Sequence, residues 1–212
     1  MTSLRDATEA LYTALGDVPR PTRIDGCPCC IEDKGIDTLL AKPLRELTPD
    51  DLSCYAASAF LTVGDVADYL YFLPRILEIA ATEDGWWPSP EVILAAVHAA
   101  GFQSWPPIYR EPTTAYFEAV FNDLLSKDDS GSKMDSWICA LGRLHVELPP
   151  MLERLALHTP RLLEFYEENS KSLAKGQLSN GFWGDAPVER DLVRNWLCSE
   201  EMQRKIQQGY GL

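Results

Sequence analysis

The stretch that decides the fold class is VGDVADYLYFLPRILEIAATEDGWW, residues 63–87. Its apolar residues recur at intervals of three and four, which is the spacing of one face of an α-helix. This apolar stripe consists of Val66, Tyr69, Leu70, Leu73, Ile76, Leu77 and Ala80. Pro74 lies inside the stretch, where it removes one backbone hydrogen bond and crowds the carbonyl of Leu70. The stretch therefore predicts a long amphipathic helix with a kink.

The opposite face of this helix carries polar and aromatic residues. On a helical wheel Asp68, Tyr71 and Arg75 fall on the side away from the stripe, so they are predicted to face solvent. Tyr and Arg are enriched at the energetic centres of protein interfaces. The alternative is an ordinary solvated face with one amphipathic Tyr. With a neighbouring acidic loop included, the candidate partner-binding residues are Asp65, Asp68, Tyr71, Arg75, Asp128 and Asp129.

The other periodic segments are also helical, and no segment alternates as a β-strand does. A helix over residues 48–64 is predicted from Thr48 as N-cap, Pro49 in the first turn and Gly64 at the end. Residues 89–101 repeat this pattern with Ser89, Pro90 and Gly101. The prediction is a single all-α domain over residues 1–212. Its parts are an N-terminal helix and linker (1–24), a Cys-rich loop (25–35), a helical core (48–173) and one C-terminal helix (187–208).

Four segments are predicted to be loops. Residues 17–30 and 101–112 are rich in Pro, so regular helix is not expected there. Residues 126–133, SKDDSGSK, are polar and acidic, and residues 172–187 are rich in Gly. Aromatic residues concentrate in or beside such loops and are expected to close the helical core beneath them, although they could also line a binding groove. These aromatic residues are Trp86, Trp87, Trp105, Phe182 and Trp183.

Composition limits the classes of function. The chain has 212 residues, of which 46% are hydrophobic, so a sizeable core is expected. The net charge of −13 would repel a phosphate backbone or an anionic membrane and would attract a basic protein. Acidity that serves solubility alone is the alternative. The first 18 residues carry acids among their apolar positions, so no secretory signal is expected there and we expect a cytoplasmic protein with reduced thiols.

The Cys-rich loop reads DGCPCCIED, residues 25–33. Its CxxC pair resembles a redox motif, but prolines interrupt the strand that should precede it. Zinc needs four ligands, and the loop supplies at most Cys27, Cys29 and Cys30. His98 and His145 lie in apolar helical segments and are predicted to be core residues rather than ligands. Packing of small residues is the favoured interpretation, with a metal site as the alternative.

No catalytic motif of a known class is present. The segments RIDGCPCC, KPLRELTPDDL, TVGDVADYLYFLPRILE and DGWWPSPEVI resemble a family of uncharacterised bacterial helical proteins over roughly residues 10–125, which implies no catalytic residues. In size, acidity and helical class the chain is also similar to toxin-immunity proteins. We therefore expect a protein-binding module of immunity or antitoxin type, which occludes a cognate basic toxin and needs no cofactor. The alternatives are a zinc-binding protein and an enzyme with a site near Trp86 and Trp105.

Overall fold

A computed structural model describes residues 2–27, 35–127 and 133–211. In these ranges the chain forms eleven α-helices and no β-strand, which confirms the all-α prediction. No helix in the described ranges is long and apolar enough to cross a membrane. The helices are α1 (Leu4–Ala14), α2 (Ile36–Ala41), α3 (Pro49–Ser58), α4 (Val66–Thr82), α5 (Pro90–Ala99), α6 (Pro107–Ser126), α7 (Lys133–Arg143), α8 (Pro149–Leu155), α9 (Thr159–Leu173), α10 (Pro187–Leu197) and α11 (Glu200–Gly209).

The chain divides into two compact units, residues 1–120 and residues 121–212, and the division falls within α6. Helix α4 is central to the first unit, where it contacts α1, α3, α5 and a 3₁₀ turn at Leu44–Glu46. In the second unit α9 contacts α7, α8 and α11, and α10 contacts α7 and α11. A single domain over the whole chain stays a prediction.

The prediction that Asp68, Tyr71 and Arg75 of α4 face solvent is wrong. Asp68 is buried, and Tyr71 and Arg75 are half-buried, whereas Val66 of the predicted apolar stripe is 42% exposed. Neighbours contact α4 on several sides, so the buried arc is wider than one helical stripe. The helix continues through the buried Pro74. The kink expected there stays a prediction.

Helix α3 ends six residues before the predicted stop at Gly64. Phe60 has a φ of 63°, a left-handed conformation that a helix cannot contain. The chain beyond it pairs with the start of the Cys-rich loop, because the Cys27 N–H donates to the Thr62 carbonyl (2.8 Å) and the Gly64 N–H to that of Asp25 (2.8 Å). Gly64 itself has a φ of 73°, and a Cβ there would lie 2.8 Å from the Tyr55 hydroxyl. This position therefore requires glycine.

Helix α5 starts at Pro90 and is followed by Gly101, as predicted. Helix α6, in contrast, begins inside the segment predicted to be a Pro-rich loop. Pro107 is the first residue of α6, where a missing N–H costs nothing because no intrahelical acceptor exists. Pro112 gives up only one hydrogen bond, so the helix includes it. The loop prediction is therefore wrong for residues 107–112.

The prediction of a single C-terminal helix is also wrong, because the helix is interrupted between α10 and α11. Ser199 is the N-cap of α11, and its hydroxyl accepts a hydrogen bond from the Met202 N–H (3.3 Å). A Ser followed by two Glu is a helix-start pattern, so the interruption was readable from the sequence.

The prediction that His98 and His145 are core residues is wrong as well. His98 is exposed, and the His145 side chain is 50% exposed with a φ of 57°.

Candidate protein-binding groove

A groove of about 410 Å³ lies in the first unit, between the end of α1, the 3₁₀ turn and α4. We call it the Tyr71 groove. Its walls include Tyr12, Val18, Pro43, Leu44, Arg45 and Tyr71. Apolar and aromatic groups therefore form most of the surface, and a guanidinium lies beside them.

The sequence places the groove through the packing of α1. Ser3 caps this helix by accepting a hydrogen bond from the Asp6 N–H (3.1 Å). Ala7 and Leu11 lie one turn apart on one face and are buried in the first unit, where α1 contacts α4. Tyr12 follows directly after Leu11, so its ring lies at the edge of this buried face and lines the groove. The amphipathic pattern of α1 thus orients the groove wall.

A chain of hydrogen bonds lies behind this wall. The Tyr12 hydroxyl donates to the Glu78 carboxylate (2.6 Å), which also accepts from the Arg75 guanidinium (2.7 Å). Arg75 donates in addition to the Leu47 carbonyl at the end of the 3₁₀ turn (2.8 Å). Burial and the hydrogen bond to Glu78 raise the pKa of Tyr12 above its ordinary value, so this hydroxyl stays a donor at neutral pH. The network fixes three elements around the groove.

Arg45 is held by two contacts on the exposed side of the groove. Its guanidinium donates two hydrogen bonds to Glu9, each 2.8 Å long. Its central carbon also lies 3.7 Å from the centre of the Tyr12 ring, which is a cation–π contact. The hydrogen bonds from Arg45 hold the pKa of Glu9 below its usual value. A partner that enters the groove therefore meets an Arg in a preset position.

The candidate residues at the start of α4 have a structural role. Asp65 and Asp68 form a capping box, in which each carboxylate accepts a hydrogen bond from the backbone N–H of the other (2.9 and 3.2 Å). Burial raises the pKa of Asp68, and the charge of Asp65 acts in the same direction. The structure therefore places Tyr71 in the groove wall and Arg75 in the hydrogen-bond network behind it. Asp65 and Asp68 precede Tyr71 on α4 and do not line the groove.

The remaining candidates fall at the edge of the described ranges or beyond them. Asp128, Asp129, Cys29 and Cys30 lie outside the described residues. Cys27 is half-buried, and no group of three potential metal ligands occurs within residues 2–27, 35–127 and 133–211. A metal site built on the three cysteines stays a prediction.

The aromatic loop residues divide into two sets. Trp105 and Trp183 are buried, as expected for residues that close a core. Trp86 is half-buried and donates its indole N–H to the Pro49 carbonyl (2.9 Å). Trp87 is 57% exposed and Phe182 37% exposed, so the core interpretation is wrong for these two. None of the five lines the Tyr71 groove.

Sequence reasoning missed Tyr12 and Arg45, which line the groove, and Glu78, which holds Tyr12 from behind. Tyr12 carries a readable signal, because an aromatic residue beside the apolar stripe of α1 is expected at the edge of a buried face. Arg45 and Glu78 meet their partners across 36 and 66 residues of sequence. Such long-range pairs leave no local pattern.

No protein-family model, curated protein or solved structure matches this chain.

Proposed function

We propose that this chain is a protein-binding module of immunity or antitoxin type, and that the Tyr71 groove receives a basic segment of its cognate toxin. The single observation that supports this most strongly is a preformed groove lined by Tyr and Arg in the most acidic part of the chain. Binding occludes the toxin without chemistry on either protein.

The composition of the groove suits a protein partner. Tyr12 and Tyr71 offer large amphipathic surfaces, and Arg45 offers a planar group that can stack or donate several hydrogen bonds. Tyr and Arg supply much of the binding energy in measured interfaces. Leu44 and Pro43 add apolar surface beside them. A partner segment with one apolar anchor among basic residues fits this lining.

Rigidity lowers the cost of binding. Ordering a long side chain on association costs about 0.5–1.5 kcal/mol. Arg45 is already held by Glu9 and by the Tyr12 ring, and Tyr12 is held by Glu78. Much of that ordering has therefore taken place before the partner arrives.

Charge selects a basic partner. Residues 1–120 contain 18 Asp and Glu but only eight Lys and Arg, so their formal charge is −10 out of −13 for the whole chain. Asp17 and Glu46 are exposed and adjacent in sequence to the lining residues Gly16, Val18 and Arg45. Such a field accelerates the encounter with a cationic protein and disfavours anionic competitors.

The direct test is co-expression with the product of each adjacent gene that encodes a secreted toxin. We expect protection from growth arrest, and we expect the purified pair to elute from a sizing column as one complex. No complex with any neighbouring gene product, together with no protection, would remove the proposal.

A substitution in the groove tests the surface. Tyr71→Ala removes a half-buried aromatic wall residue, and we expect about thirtyfold weaker binding, or about 2 kcal/mol, as for an interface hot spot. The matched control is Tyr210→Ala in α11, where the Tyr is 44% exposed and lies in the second unit. The control should bind as the unaltered protein does. Equal losses in both variants would show that the groove is not the binding surface.

A further inference from the structure

A second concave site lies within the second unit, with a volume of about 430 Å³. It is formed by the loop after α9, by a 3₁₀ turn at Gly181–Asp185 and by α10. We call it the Gly-rich pocket. Its lining residues include Lys175, Gly176, Gly181, Trp183, Arg190 and Arg194.

The charge of this pocket is opposite to that of the chain. Lys175, Arg190 and Arg194 line it, and among the described residues that do so none is Asp or Glu. Asp191 is nearby, but its single carboxylate contacts both guanidiniums, at 3.1 Å from Arg190 and 3.5 Å from Arg194. The Lys175 ammonium forms no ion pair with a residue in the described ranges. In a chain with a net charge of −13, this pocket keeps an excess of about two positive charges.

The loop that forms the pocket is held from below by buried groups. Asn169 is fully buried, accepts a hydrogen bond from the Ser179 N–H (2.9 Å) and donates one to Asp135 (2.8 Å). Arg194 donates to the Gly176 carbonyl (3.2 Å), which ties α10 to the loop. The pocket is therefore built before any ligand binds.

Close packing positions the aromatic lining residue. Trp183 lies so near Gly142 of α7 that a Cβ on this glycine would be 2.7 Å from the indole ring. The buried indole N–H of Trp183 has no acceptor among the described residues. Trp183 thus lines the pocket while its indole donor is unused by the described residues.

We infer that the Gly-rich pocket binds a small molecule that carries a phosphate group. A phosphate monoester has a charge of about −1.5 to −2 at neutral pH, which balances the excess of the pocket. Arg190 and Arg194 are one helical turn apart, about 6 Å between Cβ atoms, so both guanidiniums can reach one phosphate. The volume falls in the range of small-molecule sites. A Cβ at Gly181 or Gly184 would meet no atom within 4 Å, so the backbone there is open to a ligand.

Calorimetric titration of the full chain with inorganic phosphate and with ribose 5-phosphate, at constant ionic strength, tests this inference. We expect saturable binding of both probes and none of ribose. The variant Lys175→Gln/Arg190→Gln should bind at least about tenfold more weakly. Neither side chain hydrogen-bonds the loop backbone, so the fold should persist. Arg194 is left in place because it holds the Gly176 carbonyl.

The matched control is Lys171→Gln/Arg204→Gln, which removes two exposed cations from the same unit and changes the net charge equally. This control should bind both probes as the unaltered protein does. Equal weakening in the two variants would show general electrostatic attraction and overturn the inference. It would also be overturned if neither probe saturates, or if a phosphoserine peptide binds when the two probes do not.

Discussion

Residues 1–120 and residues 121–212 differ most in charge and in how each unit holds its concave site. The first unit carries a formal charge of −10, whereas the second has 14 acidic and 11 basic residues, or −3. The Tyr71 groove is held by a chain of hydrogen bonds, whereas the Gly-rich pocket combines hydrogen bonds to its loop with close packing of Trp183 on Gly142. Total charge alone would have assigned one kind of partner to the whole chain. Its distribution is the basis for proposing a basic protein partner for one unit and an anionic ligand for the other.

The largest expected effect concerns the packed site. Gly142→Val places a side chain where Trp183 already lies, and we expect a loss of about 3 kcal/mol in the free energy of unfolding, at the upper end for overpacking. Gly181→Ala is the control, because its new methyl group meets no atom within 4 Å. Urea denaturation of both variants measures the difference. Equal stability of the two would mean that the indole does not rest on Gly142.

The hydrogen-bonded site should respond more weakly. Glu78→Ala leaves Arg75 without its carboxylate and Tyr12 without its acceptor, so we expect a loss of about 2 kcal/mol. Tyr12→Phe removes only one hydrogen bond, and about 1 kcal/mol should be lost. Urea denaturation gives both values. A loss from Tyr12→Phe equal to that from Glu78→Ala would show that Arg75 does not depend on this carboxylate.

One acidic residue of the first unit, Asp68, should make the free energy of unfolding depend on pH. Burial raises the pKa of Asp68 in the folded state above the ordinary 3.8. Ionised Asp68 therefore lowers the free energy of unfolding at neutral pH, and this destabilisation disappears as the pH falls through the raised pKa towards 3.8. Asp68→Asn should therefore be more stable than the unaltered protein at pH 7, and the advantage should shrink in acid. Unfolding free energies measured between pH 7 and pH 4 test this. A less stable Asp68→Asn at pH 7 would contradict it.

Asp51 provides the opposite sign in the same unit. Hydrogen bonds from Lys42 and Thr48 lower its folded pKa below the ordinary 3.8. Its carboxylate therefore stabilises the fold above that value, and this contribution is lost as the pH falls through the lowered pKa. Asp51→Asn should be less stable than the unaltered protein at pH 7, and the gap should close in strong acid. Denaturation curves of both proteins over that pH range check the sign.

The smallest expected effect concerns metal. We expect protein purified without added metal to contain well below one equivalent by elemental analysis, and Cys27→Ser/Cys30→Ser to leave that value unchanged. A stoichiometric metal that disappears in this variant would add a metal centre to the acidic unit and favour the alternative function.

Local sequence patterns predicted the helices but not their surroundings. The helix starts at Thr48 and Ser89 were predicted correctly, because the signals are local: Thr48 forms a capping box, and a Pro follows each of the two residues. The exposed face of α4 was misjudged, since a helical wheel records periodicity and not the number of elements that cover a helix. Of the partner-binding candidates in the described ranges, Tyr71 alone lines the groove, and Arg75 lies in the hydrogen-bond network behind it.

The sites themselves depend on contacts that are distant in sequence. Arg45 meets Glu9 across 36 residues, and Tyr12 meets Glu78 across 66. The cations of the Gly-rich pocket come from the loop after α9 and from α10, which was predicted to form one helix with α11. Overall composition gave the sign of the net charge, but only the fold separates the groove in the acidic unit from the cationic pocket.

The most direct test of the central claim is the dissociation constant of the toxin complex after two matched charge reversals. Asp17→Lys/Glu46→Lys alters exposed residues at the Tyr71 groove, and Glu147→Lys/Glu153→Lys makes the same change in net charge at exposed positions of the second unit. We predict at least about tenfold weaker binding for the first pair and little change for the second. Equal affinities for the two pairs would contradict the claim that acidic residues beside the Tyr71 groove attract a basic partner.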